Sequence, residues 1–140
     1  MSDESTEAIH RELNVLARRV RSEAHRLHPD LSFVAYTLLG HVQSTGGCRA
    51  VDLAGLYQLD KSTVSRQVGD LERRGLVTRK ADPERGRGQV LTVTPAGRAL
   101  LQDAAATRQA ELAGRVAAWT DDELAAFAAA LQRYNAAEPD

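Results

Sequence analysis

Ser62, Thr63, Ser65, Arg66 and Gln67 fall within a six-residue stretch that follows Asp60-Lys61. Together they offer hydroxyls, a guanidinium and an amide, the groups that hydrogen-bond base edges in a DNA major groove. Val64, Val68 and Leu71 recur through the same stretch at i, i+4 and i+7, an apolar stripe that must pack inward. The pattern predicts a helix with one buried face and one polar, basic face. Asp60 is placed to cap it by accepting a backbone N–H, and Gly75 to end it in a left-handed conformation. Lys61 and Ser62 then sit where a helix N-terminus holds phosphates, while Thr63, Ser65, Arg66 and Gln67 face bases. Arg66 is the long cation nearest the start of that face, which makes it the candidate for a bidentate guanine contact.

The segment after this helix narrows the reading. Leu76 to Lys80 and Gln89 to Thr94 are β-prone runs, separated by Asp82-Pro83-Glu84-Arg85-Gly86-Arg87-Gly88. Two strands joined by a basic tip make the wing of a winged helix-turn-helix, with Arg85 and Arg87 positioned to reach a minor groove or phosphates. Two cations flanking a glycine repel each other, so a tip that is mobile without DNA is expected; the competing reading is that Asp82 or Glu84 orients Arg87. Thr94-Pro95 closes the wing and opens a new helix, Thr94 as N-cap and Pro95 at the first helical position.

These elements need a scaffold, and the rest of the chain supplies helices. Met1 to Thr6 is polar and reads as a frayed end. Ile9, Leu13, Leu16, Val20, Ala24 and Leu27 then mark a long amphipathic helix that stops near His28-Pro29. A second helix starts after Ser32, carries Phe33, Tyr36, Leu39 and Val42, and ends by Gly46-Gly47. A short third helix covers about Ala50 to Tyr57. The fifth runs from Pro95 towards Trp119, and Thr120-Asp121-Asp122-Glu123 is a capping box for a sixth, lined by Leu124, Phe127, Leu131 and Tyr134. The expected fold class is mainly α with a small two-stranded β-wing.

Composition bounds the function. The 140 residues are 43% hydrophobic, enough for a core, and contain one cysteine, which excludes an internal disulfide framework. No apolar run is long enough to span a bilayer and no secretory leader is visible, so a cytoplasmic protein with no membrane partner is expected. The net charge of −1 argues against nucleic acid only until its distribution is read. Between Lys61 and Arg98 nine Lys/Arg face four Asp/Glu, a local charge of +5 between acidic flanks. His25 and His28 are three apart but have no partner at ligand-like spacing, so no metal site is expected. Neither G-x-S-x-G nor a P-loop nor a dinucleotide fingerprint occurs, so no catalytic residue, cofactor or enzymatic activity is expected. A winged helix that docks proteins without touching DNA is the rival class; the +5 segment and the polar reading face speak against it.

Leu53-Ala54, Lys61 through Arg66, Leu71 through Val77, and Asp82-Pro83-Glu84 through Val93-Thr94-Pro95-Ala96-Gly97 occur in one order. In this the chain resembles the MarR family of bacterial transcription regulators, collinearly from about Leu31 to Gly97. It departs from the family at the wing tip, where the usual Asp-x-Arg is Arg85-Gly86-Arg87. The resemblance implies a homodimer interlocked by its terminal helices and bound to double-stranded DNA, most often a repressor on a palindromic operator. It divides the chain into an N-terminal dimerisation helix (1–30), a DNA-binding domain (31–97) and C-terminal dimerisation helices (98–140). The recognition helix would lie at about 61–74 and the wing at about 76–94. It also implies that a small aromatic effector could bind between dimer helices and winged helix, a cleft that Tyr36 and His41 could face; Tyr36 reads equally well as a core residue. Cysteines that sense oxidants in such proteins sit nearer the N-terminal helix, so Cys48 is expected to be an inert or merely exposed thiol.

Overall fold

Leu38, Leu39, Val42, Leu53, Val64, Val68, Leu71 and Leu91 are the large side chains most completely withdrawn from water, and they come from three helices and one strand. The structure, a computed structural model, describes residues 2–82, 84 and 88–139. Its elements in chain order are α1 (Asp3–Leu27), α2 (Phe33–Thr45), α3 (Ala50–Leu56), α4 (Lys61–Arg73), β1 (Val77–Ala81), β2 (Gln89–Val93), α5 (Pro95–Arg115) and α6 (Asp121–Ala136). The chain divides into two units, Met1–Gln102 and Asp103–Asp140.

In the first unit, α2, α3 and α4 each turn an apolar face to one cluster, and the two strands close it. The strands pair antiparallel, with Val77 opposite Val93, Arg79 opposite Leu91 and Ala81 opposite Gln89. Alternation along the pleat buries Val77, Leu91 and Val93 against the helices. An isolated bridge extends this sheet: Cys48 N–H donates to Leu91 O at 3.2 Å and Leu91 N–H to Cys48 O at 2.7 Å.

The punctuation is that of the sequence. Ser32 caps α2, its hydroxyl accepting from Ala35 N–H at 3.0 Å. At the end of α4, Gly75 is left-handed at φ 70°. Its N–H bonds Glu72 O, and the N–H of Leu76 bonds Leu71 O. That pair of bonds satisfies the last carbonyls of the helix and turns the chain into the wing. Thr94 Oγ1 accepts from Gly97 N–H at 3.1 Å and donates to Gly75 O at 2.6 Å, tying the start of α5 to the end of α4. Gly97 is packed so closely on the Leu76 carbonyl that a Cβ has no room there.

Three boundaries differ from expectation. Residues Asp3 to Thr6 are helical rather than frayed; Asp3 and Glu4 put negative charge on the positive end of α1, and Thr6 bonds Ser2 O through both its N–H and its hydroxyl. β1 starts at Val77, one residue late, because Leu76 completes the α4 terminus. α5 ends at Arg115, and the residues up to Trp119 form turns instead.

In the second unit, Thr120 and Glu123 form the expected capping box, at 3.2 and 2.8 Å, and Trp119 meets the Phe127 ring edge-on at 5.5 Å. No residue of α6 is buried. Among the described residues no helix is long and apolar enough to cross a membrane.

Candidate nucleic-acid interface

Val64, Val68 and Leu71 anchor α4 in the core, and this leaves its other face to solvent. Lys61, Ser62, Ser65 and Arg66 are exposed there; Thr63 and Gln67 are half-buried. Among the described residues, the Lys61 and Arg66 side chains form no hydrogen bond or ion pair, so both cations point at solvent with donors unspent.

Thr63 and Gln67 are already engaged. Asp60 has N-cap dihedrals (φ −67°, ψ 152°), but its carboxylate does not take the backbone N–H expected of it. It accepts the Thr63 hydroxyl instead, at 3.0 Å. A hydroxyl three residues along the first turn competes with the backbone donors for the same oxygen. Gln67 Oε1 accepts from Ser32 Oγ at 2.8 Å, so the amide is held against the start of α2. Of the six α4 candidates, four are thus open to a ligand and two are tied to their own protein.

The basic segment sorts in the same way. Asp70 accepts from Arg74 Nε at 2.9 Å and lies 3.7 Å from Arg73; Glu72 accepts from Arg79 Nε at 2.7 Å; Arg98 donates to Val93 O at 3.0 Å. The sequence count of +5 therefore overstates the cations that face outward with no protein partner. Among the described residues of this segment those are Lys61, Arg66 and Lys80, the last on β1. Lys80 escaped the sequence reading because a lysine on a short strand carries no motif. Arg85 and Arg87 lie outside the described residues.

Three contacts of Asp82 hold the base of the wing. Asp82 is the buried charged side chain among the described residues, and its Oδ2 lies 3.5 Å from Arg49 Nε. Its Oδ1 accepts from Glu84 N–H at 3.0 Å, while its own N–H donates to Gly88 O at 3.2 Å.

The proposed effector residues occupy separate surroundings. Tyr36 stacks on His28, ring centroids 5.5 Å apart, and packs on the core; His41 meets Tyr57 edge-on at 5.6 Å. A cleft of about 280 Å³ opens beside the first pair, lined by Leu27, His28, Leu31, Arg74, Leu76 and Leu100 among others. Neither Tyr36 nor His41 lines it, although His28 links it to Tyr36. Burial pushes the Cys48 thiol up from its ordinary value, the Asp52 carboxylate adds to this, and a hydrogen bond with Thr45 partly offsets it. No group of three or more His, Cys, Asp or Glu among the described residues is placed to hold a metal ion.

This architecture is shared with known proteins. A MarR-family sequence model matches residues 30–88. A Bacillus subtilis (strain 168) protein described as the uncharacterized HTH-type transcriptional regulator YxaD is 32% identical over 133 residues, covering 94% of this chain and 93% of that one. Among solved structures, a MarR family protein from Bacillus stearothermophilus superposes with a TM-score of 0.85 at 19% identity, covering 96% of both chains. RV1404 from Mycobacterium tuberculosis gives 0.83 at 20% identity, covering 100% of this chain and 97% of that one. Wild-type MarR from E. coli gives 0.72 at 18% identity, covering 89% and 95%. With a winged helix-turn-helix built on α2 to β2 and a full-length relative at this identity, the chain belongs to the MarR family of transcriptional regulators.

Proposed function

We propose that the protein is a homodimeric repressor that binds a palindromic operator in double-stranded DNA through α4 and the wing. The observation that carries this is the first turn and a half of α4, where Lys61, Ser62, Ser65 and Arg66 are exposed above a fully buried apolar stripe. Lys61 and Ser62 hold phosphates; Ser65 and Arg66 read base edges, with Thr63 and Gln67 contributing through what their bonds to Asp60 and Ser32 leave open. Arg85 and Arg87 extend the contact to an adjacent minor groove.

Residues 1–30 and 98–140 make the dimer, and 31–97 the reading domain. Within the first unit Ile9 and Val20 of α1 stay exposed, and within the second Leu112, Phe127 and Tyr134 do. Apolar faces this large on a soluble regulator need a cover, and a second copy supplies it symmetrically. The two reading helices then meet successive major grooves about 10 base pairs apart.

Release by a small aromatic acid is the regulatory part of the proposal. Support comes from the cleft at His28 and Arg74, whose volume lies just below that of most ligand pockets and whose aliphatic walls end in His28 and in Arg74, an arginine that Asp70 also holds. Selection of bound fragments from genomic DNA, followed by a gel shift on the selected and on a random duplex, tests the reading. Selective retardation of the recovered palindrome is expected. No retardation of either duplex at low salt would favour the protein-docking class instead.

A further inference from the structure

Arg49 stands at the N-cap of α3, with extended dihedrals (φ −89°, ψ 149°). The position calls for a side-chain oxygen that accepts a backbone N–H, and arginine has only donors. The capping position alone does not account for this choice of residue.

The wing does. The Arg49 side chain crosses to the base of the wing, where Nε lies 3.5 Å from Asp82 Oδ2. Arg49 is 24% exposed and Asp82 9%, so the pair is shielded from solvent far more than the surface pairs at Arg73 or Arg11. Asp82 is at the same time a junction of the wing, accepting from Glu84 N–H and donating its own N–H to Gly88 O. Gly88 is left-handed at φ 87°, and a Cβ there would overlap the Arg49 guanidinium. Glycine at 88 makes the turn, and a side chain there would push the end of Arg49 aside. Asp52, the acid nearest along α3, is used elsewhere, its Oδ2 accepting from Arg49 N–H at 3.3 Å.

We infer that Arg49 is a positioning residue for DNA recognition: through Asp82 it latches the base of the wing to the start of α3. It touches no base itself. It steadies the outer part of the wing relative to α4, because α3 and α4 pack in one core. The Cys48–Leu91 bridge already ties β2 to the chain just before α3, and the Arg49–Asp82 pair adds a second tie beyond the end of β1, where two strands alone hold little. A single acid serves as wing junction and as counter-ion, so losing the arginine strands a buried carboxylate at the hinge of the wing. The proposal rests on the DNA-binding reading for its consequence, and on the free protein for its geometry.

Both are tested with Arg49→Ala, Arg49→Lys and Asp82→Asn in the full-length chain. In the DNA-free protein, hydrogen exchange at Asp82, Glu84, Gly88 and Gln89 is expected to accelerate about tenfold or more in Arg49→Ala and Asp82→Asn, with α2 and α4 amides unchanged. Arg49→Lys, which keeps the charge but not the fork, is expected to fall between. On a selected operator, hydroxyl-radical footprinting of Arg49→Ala is expected to lose protection at the outer, wing-contacted positions and keep it at the central ones. Unchanged wing exchange overturns the latch. Equal acceleration in the wing and in α4 also overturns it, since it marks general loosening. If no DNA is bound by any form, the exchange result still decides the latch, and only the DNA-binding reading fails.

Discussion

Ser32 and Gln67, 35 residues apart, share a 2.8 Å hydrogen bond in which the serine hydroxyl at the start of α2 donates to the amide oxygen on α4. The same hydroxyl accepts from Ala35 N–H at 3.0 Å, so one oxygen caps α2 and orients a side chain on α4. A change at either residue should therefore be felt at the other. Ser32→Ala is expected to cost about 0.5–2 kcal/mol through the lost cap. The double mutant with Gln67→Ala should show a coupling of about 0.5–1.5 kcal/mol in a denaturation cycle. Strict additivity would show that the bond holds nothing in place.

Arg66 and Lys61 are both exposed cations without a partner among the described residues, yet they are assigned different work. Arg66→Ala is expected to cost about 1–3 kcal/mol on the operator, far less on random duplex, and to relax preference at one position per half-site. Lys61→Ala should weaken binding to all sequences alike and lower the salt slope by about one. Titrations by fluorescence anisotropy at several salt concentrations separate the two. Equal losses on operator and random DNA for Arg66→Ala would remove its reading role.

Gly97 and Gly55 make a matched pair for stability. Both are helical, and alanine in a helix normally stabilises by about 0.5–1 kcal/mol relative to glycine. Gly55 has open space around it, so Gly55→Ala should raise stability by roughly that amount. At Gly97 the new methyl meets the Leu76 carbonyl, a backbone atom held by Thr94 N–H, and cannot be accommodated without moving the wing root. Gly97→Ala is expected to destabilise by about 1–3 kcal/mol in thermal or urea unfolding. Two shifts of the same sign would contradict this geometry.

The residues that punctuate the chain explain why so much of the fold was legible. Val64, Val68 and Leu71, the Gly75 terminus, Thr94-Pro95 and the Thr120–Glu123 box are short-range signals, each complete within a few residues. What escaped is long-range: the Cys48–Leu91 bridge, the Ser32–Gln67 bond and the Arg49–Asp82 pair join segments that only packing brings together. The same limit applies to charge. A count of basic residues does not show that Asp70 and Glu72 engage three of them: Asp70 takes Arg73 and Arg74 at helical spacing, while the Glu72–Arg79 pair depends on where the helix meets a strand. At the site, residue type and spacing pointed to the exposed Lys61, Ser62, Ser65 and Arg66, whereas Thr63 carried no sign that Asp60 would claim its hydroxyl.

Phe127 and Tyr134 are 46% and 58% exposed, and α6 buries none of its residues within the single chain. If a second copy covers this helix, a charge there must split the assembly. Phe127→Glu is expected to shift the protein from dimer to monomer in light scattering at micromolar concentration, and to abolish operator binding with the reading face untouched. A wild-type chain that is a stable monomer under those conditions would remove the dimer from the proposal.

Cys48 closes the set, because its surroundings make a prediction about pH. Burial, and secondarily Asp52, raise its thiol above the ordinary value of 9.0 against the opposing bond with Thr45. The folded chain thus holds the thiol proton more tightly than the unfolded chain does. That contribution to stability is complete below the ordinary value and is lost as pH rises through the raised one, so unfolding should become easier in the alkaline range above about pH 9. Alkylation follows the thiolate, and each unit of raised pKa removes about tenfold of it. Iodoacetamide at pH 8 should therefore label native Cys48 more slowly than the same residue in urea, and mild peroxide should leave DNA binding intact. Native labelling as fast as unfolded labelling would mean that the thiol is open to solvent and to oxidants, and would make Cys48 a candidate sensor after all.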